Sequence, residues 1–201
     1  MAIPRVPVNL PEDQMPEVEV MLRLAFYLLS LEGSAETCTI TPDCQHVQSA
    51  GRTIFPLAEF LAQEEWKQIE RSGNELWEGA YVNGGKRLVI TATPSSADVF
   101  IRVGKRLIRA ECKKGPLIKR PGSPERPLMH AVIGQLMMSR SIEPDELLIA
   151  ALPNSDRFRR LAATCRECNR LKAAGLMFVL VGRDGSIDGF AVEPPVVKWR
   201  P

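Results

Sequence analysis

Asp98, Glu111 and Lys113 have the residue types and the spacing to do chemistry. They sit in two strand-like runs, Ala97 to Val103 and Arg106 to Lys113, separated by Gly104-Lys105. A two-residue turn with glycine first suits a type II′ hairpin and sets Val103 opposite Arg106. Counting back from the turn, Ile101 faces Ile108 and Val99 faces Ala110 on an apolar face, while Phe100 meets Arg109 and Asp98 meets Glu111 on the other. Two carboxylates placed this way repel unless something positive lies between them. Lys113, two residues past Glu111, projects to the same face. Hard oxygen donors of this kind suit Mg²⁺, with Mn²⁺ as a substitute, because both ions keep several waters and accept phosphate oxygens.

The elements that must hold this hairpin can be read around it. Residues 1–13 are rich in proline and turn formers, and a helix is expected from about Met15 to Leu31, with Pro16, Glu17 and Glu19 in its first turn and Gly33 ending it. Thr37 to Thr41 and Gln45 to Phe55 read as short extended pieces, broken at Pro42-Asp43 and Ala50-Gly51. Pro56 opens a second helix whose apolar spacing runs through Leu57, Phe60, Leu61 and Ile69 to the breaker Ser72-Gly73-Asn74. From Leu76 the period becomes two. Leu76 to Val82, Arg87 to Thr93 and the two motif runs, with a break at Pro94-Ser95-Ser96, predict a four-stranded antiparallel meander. After a basic loop, Gly115 to Pro127, come a helix (Pro127 to Arg140), a strand (Leu147 to Leu152), a helix (Asp156 to Ala174) and a strand (Met177 to Val181). The last two strands can lie parallel through a crossover. The expected fold class is α/β, a central mixed sheet of antiparallel meander plus parallel strands flanked by α-helices. The 201 residues are expected to form one domain, with N-terminal helices and short strands over 1–74 and a motif-bearing core over 75–192.

An Asp heading one strand, then Glu-X-Lys within the next, resembles the PD-(D/E)XK nuclease superfamily, here as Ala97-Asp98 and Glu111-Cys112-Lys113. The order of elements from Leu76 to Val181 is similar to that family's core. Ala97 stands where the family has its proline, with Pro94 slightly earlier. Members often carry a glutamine on the following helix, as at Gly134-Gln135-Leu136. Helical projection sets Gln135 among Leu128, Ala131, Val132 and Leu136, so its amide needs a polar partner. The resemblance implies a restriction-endonuclease-like core and metal-dependent hydrolysis of DNA phosphodiester bonds, in restriction, phage defence, repair or mobile-element processing. It further implies Mg²⁺ held by Asp98, Glu111 and the Cys112 backbone carbonyl, Lys113 handling the attacking water, and Gln135 in support. Many members add an acidic residue from the first helix; Glu17, Glu19, Glu32 and Glu36 all qualify. Lys114, Lys119, Arg120 and Arg126 would then bind the phosphate backbone.

Other readings compete. A catalytically silent nuclease-fold module, binding nucleic acid or protein within a complex, would keep the same elements. Cys165-Arg166-Glu167-Cys168, with Cys38, Cys44 and His46, suggests zinc, but the pair falls inside an amphipathic helix with no knuckle turn. His130 falls on the flank of its helix away from Gln135. Trp66, Trp77 and Trp199 read as packing residues. The composition, 45% hydrophobic and 25% charged with 26 basic against 24 acidic residues, is that of an ordinary globular protein and excludes a disordered tail or a histone-like binder. No apolar run is long enough to cross a bilayer, no signal segment is evident, and the odd cysteine count fits a reducing compartment, so a cytoplasmic location is expected. Expected partners are DNA and a protein supplying specificity, and a homodimer is compatible with the chain.

Overall fold

The computed structural model describes residues 8–93, 97–119, 122, 124–138 and 145–192. Gln14–Met15 (β1) leads into Glu17–Ser30 (α1), Thr37–Ile40 (β2), Cys44–Val47 (α2), Gln48–Ser49 (β3), Arg52–Thr53 (β4) and Leu57–Gln63 (α3). Then come Lys67–Arg71 (β5), Gly79–Asn83 (β6), Lys86–Ile90 (β7), Val99–Val103 (β8), Arg106–Cys112 (β9) and Gly115–Pro116 (β10). The chain continues with Glu125–Met137 (α4), Glu146–Pro153 (β11), Asp156–Glu167 (α5), Asn169–Ala173 (α6), Leu176–Val181 (β12) and Ile187–Asp188 (β13).

Among the described residues nine strands form one mixed sheet in the order β13-β12-β11-β9-β8-β2-β7-β6-β5. β11 lies parallel to both β9 and β12, and both of its faces are covered. Leu147, Ile149 and Ala151 join the cluster that includes α1 and α3, whereas Leu148, Ala150 and Leu152 join the one with α4 and α5. Alternate residues of one continuous apolar run therefore serve two cores, which is why this strand reads as uninterrupted hydrophobic sequence. α1 is held to its face by Val18, Met21, Leu22, Ala25 and Leu28, all fully buried, each large side chain contributing about 1.5–3 kcal/mol of burial. Among the described residues no helix is long and apolar enough to cross a membrane.

The expected mixed α/β sheet is present, with several departures. The meander is split: β7 and β8 do not pair, because β2 lies between them, parallel to β7 and antiparallel to β8. The second helix stops at Gln63; Glu65 turns at φ +64 and Lys67–Arg71 leaves as the exposed sheet edge, so Ile69 is 59% exposed rather than packed. Cys44–Val47 is a helical turn instead of an extended piece, because the Asp43 carboxylate accepts the Gln45 N–H at 2.9 Å and caps it. The long final helix breaks at Cys168, whose extended backbone separates α5 from α6. The expected break at Pro94-Ser95-Ser96, the helix end at Arg140 and Trp199 lie outside the described residues. Trp66 and Trp77 are buried, as packing residues should be.

Candidate active site

The hairpin turns at Gly104, whose φ of +57 is the left-handed value that a type II′ turn requires at its first position. Its register follows the count made from the sequence: Val103 pairs with Arg106, Ile101 with Ile108, Phe100 with Arg109 and Val99 with Ala110. Val99, Ile101 and Val103 are buried on one face, and on the other the Arg109 guanidinium lies 5.5 Å from the Phe100 ring centre and ion-pairs with Glu146. The regular ladder ends one pair before the carboxylates. Asp98 donates its N–H to the Ala110 carbonyl at 3.0 Å, and its side chain accepts the Cys112 N–H at 2.7 Å. A side-chain oxygen thus takes the place of a backbone acceptor at the position where the two acidic residues meet. Thr41, at the end of β2, donates to the Asp98 carbonyl at 2.9 Å, so the inserted strand also fixes the motif aspartate.

Asp98, Glu111, Lys113 and Gln135 all line one cleft of about 530 Å³, together with Glu17, His46 and the Thr41–Cys44 turn. Of the four acidic residues open in the sequence, Glu17 is the one in the cleft. Its carboxylate stands 3.2 Å from His46 Nδ1 and 3.8 Å from Lys113 Nζ, and it accepts the Lys114 N–H at 3.3 Å. Glu19, two residues on, is turned inward and held by Arg23 and Arg183. Gln135 is exposed, as is Ala131; the buried stripe of α4 is Met129, Val132 and Leu136. The amide therefore faces the cleft from the flank of the helix, not from within an apolar stripe, and the cleft supplies the polar surroundings it needs.

The charges do not balance evenly. Burial pushes the Asp98 carboxyl up to about 6, with Glu17 adding to the rise and the Cys112 N–H and Lys113 opposing it. Burial and then the neighbouring Asp98 push Glu111 up to about 7. Burial also raises Glu17, but His46, Lys113 and the Lys114 N–H outweigh it and hold that carboxyl below its ordinary value. His46 is raised, first by Glu17. Glu17 is thus a neutralised partner of the cleft's cations, whereas Asp98 and Glu111 are left repelling each other. That pair fits a small hard cation, since Mg²⁺ keeps most of its waters and needs only one or two carboxylates from the protein. Among the described residues no three His, Cys, Asp or Glu side chains surround a common metal position.

The remaining candidates fall elsewhere. Lys114 and Lys119 are exposed, and Arg120 lies outside the described residues. Arg126 is exposed but sits nine residues before Gln135, which at ~100° per residue puts it on the opposite flank of α4. His130 is likewise on the surface. Cys38 is buried in β2, Cys44 is exposed at the start of α2, and Cys165 and Cys168 are half-buried on the far side of the sheet order, all as free thiols. His46 is the cleft residue the sequence reading placed only in the zinc alternative. The signal that could have found it is Pro42-Asp43, an extended residue and then a capping residue, which starts a helical turn opposite α1. Compared with the models of known protein families, with curated proteins and with solved structures, the chain matches none.

Proposed function

We propose that this chain is a Mg²⁺-dependent nuclease of the PD-(D/E)XK type, with a restriction-endonuclease-like core, that hydrolyses phosphodiester bonds of DNA. The observation that carries the reading is the convergence of Asp98, Glu111, Lys113 and Gln135 with a first-helix acid, Glu17, in one open polar cleft. Separate elements deliver them: α1, the β8–β9 hairpin and α4. A coincidental Glu-X-Lys on a solvated strand would have no such company.

Asp98, Glu111 and the Cys112 carbonyl would hold the ion, which when bound lowers the pKa of a water and offsets charge on the phosphate. Lys113 lies beside the carboxylates, where its ammonium orients the attacking water and opposes the negative charge that develops on the phosphate oxygens. Glu17 keeps that ammonium in place through its 3.8 Å contact. Gln135 presents amide donors to the phosphate from across the cleft. Restriction, phage defence, repair and mobile-element processing all use such a reaction in the cytoplasm, with sequence specificity supplied by a protein partner.

The test is cleavage of single-stranded, double-stranded and nicked DNA with Mg²⁺ or Mn²⁺. Wild type should cut, and Asp98→Ala, Glu111→Ala and Lys113→Ala should each lose at least about 10²-fold in rate. Equal activity in all four proteins would overturn the assignment of the site. DNA binding without cleavage in any of them would favour the silent nuclease-fold module instead.

A further inference from the structure

The basic residues outside the cleft are not scattered. Gly115, directly after Lys113-Lys114, packs so closely on α5 that a Cβ there would lie 2.6 Å from the Phe158 ring. The next residue toward the helix start, Arg157, reaches Glu125 in the first turn of α4 at 3.7 Å. The chain after the motif, the start of α4 and the start of α5 therefore meet at one place. Around it stand Lys114, Arg126, Arg157 and Arg160, all exposed.

The two flanks of α5 differ in how their cations are used. Phe158 and Ala162 point into the core. Arg159, on one flank, is bound by Asn154 and Asp156, and Arg166 on the same flank is bound by the Phe178 carbonyl and Asp188. Arg157 and Arg160, three residues apart, share the other flank. Arg157 meets only the nearly inaccessible Glu125, and Arg160, Lys114 and Arg126 make no ion pair among the described residues. Glu125 is turned inward, and the exposed Asp156 in the first turn of α5 is taken by Arg159, so the flank presents net positive charge outward on a chain that is nearly neutral overall.

We propose that this flank, with Lys114, Arg126, Arg157 and Arg160, grips the sugar–phosphate backbone of double-stranded DNA beside the bond to be cut. The binding needs only the charges; its place beside a scissile bond rests on the nuclease reading. Exposed cations of this kind release condensed counterions without reading bases, so they bind regardless of sequence and lose affinity steeply with salt.

The experiment is fluorescence anisotropy of a labelled 30-base-pair duplex in EDTA across a salt series. Four phosphate contacts predict a slope of about −3 to −4 in log affinity against log salt, and removing one should flatten it by about one. Arg160→Gln should do so alone. Arg157 also neutralises Glu125, so its replacement is made as Arg157→Gln with Glu125→Gln, which avoids stranding a buried carboxylate; this variant should flatten the slope equally. Arg159→Gln, on the other flank, should leave it unchanged. Wild-type slopes in both test variants, equal flattening by Arg159→Gln, or no affinity of wild type for the duplex would each overturn the surface. Cleavage of the same duplex in Mg²⁺ by wild type against Asp98→Ala tests the nuclease reading separately. Flattened slopes without cleavage would keep the surface and reject its place beside a scissile bond, whereas cleavage with unchanged slopes would do the reverse.

Discussion

At Asp98 the protein holds a carboxyl where its charge is unwelcome. The group is largely shielded from water, faces Glu111 and Glu17, and is pushed up to about 6. A folded-state pKa above the unfolded value near 4 means that the folded protein holds the proton more tightly. The associated stability is fully present below that unfolded value and is lost as pH rises through about 6. At pH 8 without metal, wild type therefore carries the whole cost and Asp98→Asn carries none, while the amide oxygen can still accept the Cys112 N–H. The variant should be more stable in EDTA at pH 8 by about 1–3 kcal/mol, with the gap closing toward pH 4. Millimolar Mg²⁺ should raise the unfolding midpoint of wild type and leave the variant unmoved. Thermal unfolding at both pH values checks this, and a less stable Asp98→Asn in EDTA at pH 8 would show that the aspartate is a structural acceptor only.

Among the elements, the hairpin was the most legible because its information is local. Gly104 fixes the turn, the turn fixes the register, and strict alternation fixes the faces. What lay outside local sequence was β2. Its Thr37–Ile40 segment was expected as extended, but its position between β7 and β8 depends on partners about 50 and 60 residues away, and strand propensity carries no such address. The false helical continuation through Ile69 has a similar origin, since its spacing is helical while the backbone is claimed by pairing with β6. The start of β6 was misplaced for a definable reason. The Glu78 carboxylate gathers the N–H groups of Asn74 and Glu75 at 2.9 and 3.0 Å and that of Ala92 at 2.7 Å, folding residues 72–78 into a loop instead of a strand. The bonds to Ala92, Glu75 and Asn74 outweigh burial and hold this carboxyl below its ordinary value. Its contribution is present above the unfolded pKa and lost as pH falls through the folded one. Glu78→Gln should lower stability by about 2–3 kcal/mol at neutral pH. Urea midpoints at pH 7 and pH 3 should show the gap shrinking in acid; a gap that persists unchanged at pH 3 would mean that shape, not charge, holds the loop. Because Ala92 also borders the cleft, the element bears on the site as well as on the sheet.

Across the whole molecule, the two acids that open α1 divide the work of fold and site. Glu19 is fully buried, and its carboxylate receives Arg23 from one turn along and Arg183 from the turn between β12 and β13. Arg183 also donates to the carbonyls of Pro11 and Gln14. The adjoining β1 pairs with β10, just past Lys113-Lys114. One buried carboxylate thus links α1, the last strands and the segment bordering the motif. Removing it leaves two guanidinium groups facing each other around an emptied position, a loss of about 3–5 kcal/mol for Glu19→Ala. Glu17 shares the residue type and the first turn of α1, but its partners are the cleft residues His46 and Lys113. Glu17→Ala should cost less than Glu19→Ala, because the partners it leaves, His46 and Lys113, border the open cleft and can turn to water, while lowering Mg²⁺-dependent cleavage by loosening Lys113. Helical periodicity sets the two about 200° apart, but α1 is buried on nearly every side, so periodicity could not tell which acid meets the cleft. The partner sets decide, His46 and Lys113 for Glu17 and Arg23 and the distant Arg183 for Glu19. Chemical denaturation of the two variants, with cleavage rates alongside, makes the comparison. Should Glu17→Ala unfold as readily as Glu19→Ala while retaining the wild-type rate, the first-helix acid would belong to the scaffold, and the proposed site would rest on the hairpin and Gln135 alone.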